Sequence, residues 1–204
     1  MPVTIIVTTN GGTMNIKIDL SKITNPKIRL EIAREEKVSQ ILKALSKDED
    51  WNVRLAVAEN PSTDQDILRN LAEDEVWQVR EAVAGNPSTD QDTLRRLSEA
   101  AFVHIRGRVA ENQNTDQDVL RKLSEDKDIF VRWNVARNPG TDQDILRKLS
   151  EDKVWDVRYA VAENPSTDQD TLRNLAEDED WEIRHAVTKN PNMHQDILKM
   201  LSED

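Results

Sequence analysis

Residues 51–74 read WNVRLAVAENPSTDQDILRNLAED, and this stretch decides the fold because its pattern returns every 26 residues. One Asn, one Arg and one Gln-Asp pair each keep that step without a slip through six copies. A fixed period of this length is typical of repeat architectures, in which each unit stacks on its neighbours. The copies fill 51–204, with boundaries at 51–76, 77–102, 103–128, 129–154, 155–180 and 181–204.

Each copy contains two segments with the signals of short helices. Asp50 is a favourable N-cap for the segment 51–59, and Asn60-Pro61 ends that segment because proline disfavours helix in the residue before it. Thr63 is the predicted N-cap of a second helix that begins at Asp64. Neither segment reaches the roughly 12–15 residues that an isolated helix needs in water, so neighbouring repeats must hold both. The sequence therefore predicts an all-α solenoid.

Comparison of the six copies separates the predicted core from the predicted surface. Five columns are apolar in every copy and are assigned to a continuous core; in the first copy they are Trp51, Val53, Val57, Leu68 and Leu71. Two columns of the first segment vary freely in polarity and charge, and they begin at Asn52 and Leu55. Because a core position rejects charged side chains, such freedom indicates an exposed face.

The repeat resembles the leucine-rich repeat variant family. The residues that carry the resemblance are Val53-Arg54, Ala56-Val57-Ala58, Asn60-Pro61, Thr63, Leu68 and Leu71-Ala72, repeated in kind through Leu201. The resemblance implies an α-helix at 64–73 that alternates with a short 3₁₀ helix at 51–59, stacked into a right-handed α-solenoid. HEAT-like repeats share Val-Arg-x-Ala but usually continue without Asn-Pro, so they are the second choice.

The residues before the six repeats form two further segments. Alternating apolar residues flank Asn10-Gly11-Gly12 on both sides, and this pattern predicts a β-hairpin. Because a lone hairpin is only marginally stable in water, segment 1–27 is expected to cap the array or to form a homodimer through residues 3–20. We favour the cap, since a solenoid needs its ends covered. Residues 28–50 fit a degenerate first repeat that lacks Asn-Pro.

One arginine and one asparagine keep the same place in all six repeats. They are Arg54, Arg80, Arg106, Arg132, Arg158 and Arg184, with Asn60, Asn86, Asn112, Asn138, Asn164 and Asn190. Arginine binds phosphate in a bidentate manner, so a phosphate-binding track is one interpretation. A structural ladder is the favoured interpretation, in which the arginines bind carbonyls and nearby Asp or Asn side chains, because the role is identical in every unit.

A second cationic row lies on the second segment of each repeat. It consists of Arg69, Arg95, Arg96, Arg121, Lys122, Arg147, Lys148, Arg173 and Lys199. A cationic stripe is typical of nucleic-acid binding. However, acidic residues flank it at helical spacing, as Asp66 and Glu73 flank Arg69, and such pairs neutralise the stripe locally. A solvated, salt-bridged face is therefore favoured.

No catalytic, metal-binding or cofactor-binding residue is assigned. The Ser-Thr-Asp-Gln-Asp loops lack the glycine and distal glutamate of a calcium loop, so helix capping accounts for their carboxylates. His104, His185 and His194 stand in different repeats without metal-ligand spacing, and cysteine is absent. Because the polar residues recur from repeat to repeat, we find no unique catalytic constellation and expect a non-enzymatic protein without a cofactor.

The charge of the chain restricts its partners and location. Acidic residues number 39 and basic residues 28, which gives a formal net charge of −11. This excess opposes binding to nucleic acid or to an anionic membrane. Residues 1–20 lack the basic segment of a signal peptide, and no apolar run approaches the length of a membrane span. We therefore expect a cytoplasmic protein.

The variable face supplies the candidate partner-binding residues. Phe130 and Trp133 lie three residues apart, and the place of Trp133 is taken by aromatic residues in the next two repeats. The strip and its flanking polar residues are Phe130, Trp133, Tyr159, His185, Arg108, Asn134 and Arg137. Aromatic and arginine side chains are the usual anchors of interfaces, so a protein or peptide is the expected partner. In the alternative interpretation, Trp133 and Phe130 pack inward and fill space left by Ile129.

Two other functions stay open at the level of sequence. A nucleic-acid-binding solenoid would show an affinity that falls steeply with salt. A purely structural or self-assembling repeat module, of natural or engineered origin, would show its function as assembly of the chain itself.

Overall fold

The computed structural model describes residues 2–9 and 12–195. These residues form two strands, one short 3₁₀ helix at Leu20–Lys22 and thirteen α-helices. The strands are β1 (Pro2–Thr9) and β2 (Gly12–Asp19). The helices are α1 (Pro26–Glu35), α2 (Ser39–Leu45), α3 (Trp51–Glu59), α4 (Gln65–Leu71), α5 (Trp77–Gly85), α6 (Gln91–Leu97), α7 (Val103–Glu111), α8 (Gln117–Leu123), α9 (Ile129–Arg137), α10 (Gln143–Leu149), α11 (Trp155–Glu163), α12 (Gln169–Leu175) and α13 (Trp181–Lys189).

The helices stack in chain order within each of two compact units, Met1–Thr93 and Leu94–Asp204. In the first unit, α3 packs between α1 and α5. In the second unit, α9 packs between α7 and α11, and α11 in turn packs against α13. Second helices contact the first helix of their own repeat and of the following one, as α10 contacts both α9 and α11. The predicted all-α solenoid fold is therefore confirmed.

The core consists of the columns that are never polar in the sequence. Val53 and Val57 are completely buried, and so are their equivalents in α5, α7, α9, α11 and α13. Leu68 and Leu71 of the second helix are buried as well. Two rows of aliphatic side chains from the first helices thus meet two rows of leucines from the second helices, and burial of this apolar surface stabilises the stack.

The first segment of each repeat is an α-helix, and the predicted 3₁₀ helix at 51–59 is wrong. The Asp50 carboxylate accepts a hydrogen bond from Asn52 N (2.9 Å), and Asn60 N donates to Ala56 O (3.1 Å) at the other end. The segment therefore begins with a side-chain cap and ends with an i→i−4 bond. Its alanine and glutamate residues also favour the α-helix.

The second helix begins one residue later than predicted, at Gln65. Its N-cap is Asp64, whose carboxylate accepts a hydrogen bond from Ile67 N (3.0 Å). Thr63 is buried and donates its hydroxyl to Val57 O (2.6 Å), at the end of the preceding helix. Thr63 therefore connects the two helices of one repeat, and the helix spans 65–71 instead of 64–73.

The column that begins at Trp51 does not belong to the core, contrary to the sequence prediction. Trp51, Ile129, Trp155 and Trp181 are exposed. Each is the first residue of its helix and lies before the first complete turn, where the stacked helices no longer enclose it. The prediction failed because an apolar column indicates a shared environment without saying whether that environment is buried.

The predicted hairpin is present at the N-terminus. β1 pairs with β2 in antiparallel register, from Pro2 opposite Asp19 to Thr9 opposite Gly12, and β1 runs beside α2. Asn10 and Gly11 of the predicted turn lie outside the described residues. That the hairpin caps the array, or joins two chains, stays a prediction.

The segment 28–50 carries the ladder contact of a repeat. The Arg29 guanidinium donates to both carboxylate oxygens of Asp48 (2.7 and 2.9 Å). Arg54, Arg106, Arg132 and Arg158 make the same contact with an aspartate twenty residues later, whereas Arg80 has Ala100 in that place. At the other end, the second segment of the last repeat, with Lys199 and Leu201, lies outside the described residues.

Candidate functional site

The first helices of the last three repeats present a row of apolar and aromatic side chains that are exposed or, at Trp133 and Tyr159, half-buried. Trp155 is 43% exposed and Trp181 is 64% exposed at the beginning of α11 and α13. We call the row the aromatic face; it comprises Ile129, Phe130, Trp133, Trp155, Tyr159, Trp181 and His185. Because α9, α11 and α13 pack side by side, equivalent positions on them lie next to one another.

The rings of the aromatic face pair within each helix. Trp155 meets Tyr159 edge to face, with 6.0 Å between ring centroids and 78° between planes. Trp181 meets His185 at 6.4 Å. Both pairs follow from i,i+4 spacing, which places the two side chains on one face of a helix. The pairing holds the exposed tryptophans beside a second ring instead of leaving them isolated.

Helix α9 carries the most crowded part of the face. Phe130 stacks on Trp133 with 6.5 Å between centroids and 20° between planes, and His104 of α7 meets the edge of Phe130 at 5.8 Å. The Arg137 guanidinium carbon lies 4.5 Å from the centre of a Trp133 ring. This distance is within the range of a cation–π interaction.

Phe130 also packs against the preceding repeat. A Cβ atom added at Gly107 would lie 2.3 Å from Cε1 of Phe130, so the ring occupies the space that a side chain would take. Glycine in a helix interior costs about 1 kcal/mol relative to alanine, and here it allows close approach of the ring. The inward packing considered from the sequence therefore describes one side of Phe130, whose other side stays exposed.

Helix α11 combines aromatic rings with carboxylates. Tyr159 Oη donates a hydrogen bond to Glu163 Oε1 (3.1 Å). The hydrogen bond to Glu163, with the negative charge of that carboxylate, raises the pKa of Tyr159. Glu163 itself is exposed at the end of the helix, and Asp156 follows Trp155 directly. This part of the aromatic face therefore has negative potential.

Two of the predicted flanking residues are placed differently from the rest. Asn134 is buried, and its amide donates to Phe130 O (2.8 Å) on the same helix, so it does not belong to the exposed strip. Arg108 is exposed and pairs with Glu111 at 2.8 Å. Trp133 contacts both Phe130 and Arg137, while Tyr159 and His185 contact the tryptophans of their own helices.

The arginines of the ladder connect one repeat to the next through the loop before each first helix. Arg132 donates to both carboxylate oxygens of Asp152 (2.7 and 3.1 Å) and to Asp126 O (2.9 Å). Arg158 then donates to Asp152 O (2.9 Å) and to both carboxylate oxygens of Asp178. Each of these aspartates thus binds one arginine through its side chain and the next through its carbonyl.

The electrostatics of the ladder follow from its burial. At Asp152 burial is the largest influence and raises the pKa, but the hydrogen bonds from Arg132 and Val154 N and the adjacent positive charge outweigh it. The net effect lowers the pKa of Asp152. The hydrogen bond to Asp152 also raises the pKa of Arg132, against the opposing effect of burial. The ladder is therefore a row of partly buried ion pairs, with its donors already used within the chain.

The asparagines form a second ladder, deeper in the stack. The Asn164 side chain donates to Ala136 O (2.6 Å) and Asn138 O (3.0 Å) in the preceding repeat, and accepts from Ser166 N (2.8 Å). The Asn138 side chain makes the equivalent contacts one repeat earlier. These amides satisfy carbonyls that would otherwise be buried without a donor at the ends of the first helices.

The second cationic row is exposed and paired with acidic residues. Arg147 contacts Asp168 of the next repeat (3.1 Å) and Asp144 of its own helix (3.8 Å). Arg69, Arg95, Arg121, Lys122, Lys148 and Arg173 also contact carboxylates. Since the positive charges of these side chains lie beside negative ones, the row does not form a continuous cationic track.

The first aspartate of the loop sequence Asp-Gln-Asp caps the second helix through its side chain at Asp64, Asp90, Asp116 and Asp168, but not at Asp142. Asp116 accepts from Val119 N (2.9 Å) and Asp168 accepts from Thr171 N (2.8 Å). In the part of the chain that the structure describes, no group of three His, Cys, Asp or Glu side chains is arranged to hold a metal ion. Among the same residues, no helix combines the length and the hydrophobicity that crossing a membrane requires.

The sequence analysis missed Ile129, Trp155 and Trp181 as members of the candidate site. A signal was available, because each of them lies four residues before a member of the variable column that begins at Leu55. Residues at i and i+4 share a face of a helix, so a fifth position that varies freely in polarity indicates a first position outside the core.

Comparison with known proteins agrees with this architecture. The family model for the leucine rich repeat variant matches residues 51–76, 77–101 and 155–180. A solved structure described as a leucine-rich repeat variant with a novel repetitive protein structural motif superimposes with a TM-score of 0.60. It shares 24% sequence identity, and the match covers 87% of this chain and 76% of that one. No curated protein sequence matches the chain. Three of the six repeats thus match the leucine-rich repeat variant family model, and the solved structure supports the same fold.

Proposed function

We propose that the chain is a non-enzymatic repeat scaffold that binds a protein or peptide partner through the aromatic face. The observation that carries the proposal is the exposure of Trp155 and Trp181, each paired with a second ring on the same helix. Exposed aromatic clusters rimmed by polar groups are typical of protein interaction sites. Tryptophan and tyrosine are also enriched among the residues that dominate binding energy.

The remaining polar residues support a scaffold role. The arginines and asparagines that recur in every repeat bind carbonyl and carboxylate groups of the chain itself. A nucleic-acid partner is less favoured, because the exposed cationic row is paired with carboxylates and the net charge is −11. What differs between repeats is the outer side of the first helices, and this difference suits a specific partner.

The test begins with peptides selected on the protein from a phage-displayed library of random dodecapeptides. Their dissociation constants are then measured by titration calorimetry against the double variant Trp155→Ala/Trp181→Ala. We expect at least a tenfold loss of affinity, since truncating an interface anchor usually costs more than 1 kcal/mol.

The control is Trp51→Ala, which removes an exposed tryptophan from the first helix of another repeat, in the other unit. We expect it to change affinity less than twofold. Equal losses in the two variants, or selected peptides that bind the double variant as well as the wild type, would overturn the proposed function. Circular dichroism establishes that both variants retain the helical fold.

A further inference from the structure

We infer that the partner segment is basic and that helix α11 binds one of its arginine side chains. This inference rests on the proposed function and specifies the chemistry of the partner. It is carried by a comparison between α9 and α11, which present equivalent positions of two successive repeats with opposite charge.

Helix α9 already contains the interaction that we assign to a partner. Arg137 lies four residues after Trp133, and its guanidinium carbon is 4.5 Å from the centre of a Trp133 ring. One repeat later the same two positions are Tyr159 and Glu163. The aromatic ring is therefore retained in α11, while the cation that covers it in α9 is replaced by a carboxylate.

The groups on α11 suit a guanidinium from outside the chain. Trp155 and Tyr159 meet edge to face, so each leaves part of a ring available, and Trp155 is exposed. The Glu163 carboxylate is within 3.1 Å of Tyr159 Oη, so an ion pair with it would form beside the rings. Arginine can stack on an aromatic ring and bind a carboxylate at the same time, since its planar group carries five donors and a permanent charge.

The charge around this site favours a basic segment over a neutral one. On α13, Glu182 follows the exposed Trp181, and Glu177 and Glu179 are exposed in the loop between α12 and α13. These three carboxylates, with Asp156 and Glu163, outnumber the exposed cations of α11, α13 and the loops before them, Lys153 and Lys189, and still do so when Arg137 of α9 is counted. A chain of net charge −11 attracts a cationic segment over long range, and the aromatic face provides the stacking surface.

The experiment uses acetylated, amidated hexa-arginine and hexa-lysine peptides as probes, which have equal charge. Their affinities for the full chain are measured by titration calorimetry at low salt. We expect hexa-arginine to bind more tightly, because a guanidinium stacks on aromatic rings better than an ammonium group does. The test variant is Glu163→Arg. It gives α11 an arginine at the position equivalent to Arg137 of α9.

The matched control is Glu59→Arg, at the equivalent position of α3. It changes the net charge by the same amount. However, the residue four positions before Glu59 is Leu55, so this carboxylate has no aromatic ring in the place that Tyr159 takes before Glu163. We expect Glu163→Arg to weaken hexa-arginine binding about tenfold, and Glu59→Arg to weaken it less than twofold. Circular dichroism of both variants separates loss of binding from loss of fold.

Three results would overturn the inference: equal affinity for the two peptides, equal losses in the two variants, or no loss in Glu163→Arg. The proposed function and the arginine assignment can be distinguished by experiment. If the phage-selected dodecapeptides contain no arginine but still lose affinity in Trp155→Ala/Trp181→Ala, the aromatic face binds a partner of other chemistry. In that case the proposed function stands and the arginine assignment is wrong.

Discussion

Arg132 and Arg147 stand in the same repeat, and both pair with aspartate, but their environments differ. The Arg132 side chain is 9% exposed and uses its fork on both oxygens of Asp152 and on a carbonyl of the preceding loop. The Arg147 side chain is 50% exposed and reaches single carboxylate oxygens at 3.1 and 3.8 Å. Equal recurrence in the sequence therefore hides unequal contributions to stability, because burial decides how much an ion pair contributes.

Arg132→Ala should give the largest loss. It would remove one partner of a buried pair, leave the Asp152 carboxylate with only the hydrogen bond from Val154 N, and take the arginine donor from Asp126 O, which costs about 3 kcal/mol in total. The free energy of unfolding from urea denaturation, followed by circular dichroism, measures the effect. Arg132→Lys keeps the charge but not the bidentate fork, so it should recover only part of the loss. A loss below about 1 kcal/mol in the alanine variant would place Arg132 with the exposed row, against our interpretation.

Asn164→Ala should give the second largest loss, without any change of charge. Ala136 O would lose the donor from Asn164, and Asn138 O would keep only the one from Thr141 N. At about 1–3 kcal/mol for an unsatisfied group, we expect a loss of about 2 kcal/mol. The control is Asn174→Ala on the exposed side of α12, which should change stability by less than about 0.5 kcal/mol. Similar losses of stability in both variants would show that the hydrogen bonds of the asparagine ladder are not what stabilises the fold at Asn164.

The sequence predicts the architecture well because periodicity reports which positions share an environment. The columns of Val53 and Leu68 are buried as expected, and the hairpin and the helical repeats are where the pattern puts them. Periodicity does not report which environment a column has. Trp51 and its equivalents are apolar in every repeat and still lie outside the core, because they precede the first turn of their helices.

The sequence is ambiguous where two neighbouring residues could both cap the N-terminus of a helix. Thr63 and Asp64 are both good N-cap residues, and only the structure shows that the Thr63 hydroxyl is used on Val57 O. Asn134 was expected at the surface, but it occupies the position of Ala56, Ala160 and Ala186, which are buried, and Asn134 is buried with them. Its polar side chain disguised a core position, and its amide hydrogen bond to Phe130 O is seen only in the structure.

The pH dependence of stability provides a third way to separate the buried ion pairs of the arginine ladder from exposed polar residues. Asp152 has a folded-state pKa below its ordinary value of 3.8, so the folded state binds fewer protons than the unfolded state at acidic pH. Its contribution is therefore present above about pH 3.8 and lost as the pH falls through the folded-state pKa. The stability difference between the wild type and Asp152→Asn should narrow below that pH. The difference for Asn174→Ala, which removes no titrating group, should stay constant.

Arg147→Ala should give the smallest effect, and it defines the other end of the comparison. Exposed ion pairs contribute about 0–1 kcal/mol, and salt at 1 M screens charges beyond about 3 Å. We therefore expect a loss below about 0.5 kcal/mol in urea denaturation that disappears in 1 M NaCl, whereas the loss in Arg132→Ala persists. A salt-resistant loss above 1 kcal/mol would mean that the link from Arg147 to Asp168 holds adjacent repeats together as the ladder does. The exposed cationic row would then be a further structural ladder beside those of the arginines and asparagines. The variable face of the first helices would remain as the part of each repeat that is free to specify a partner.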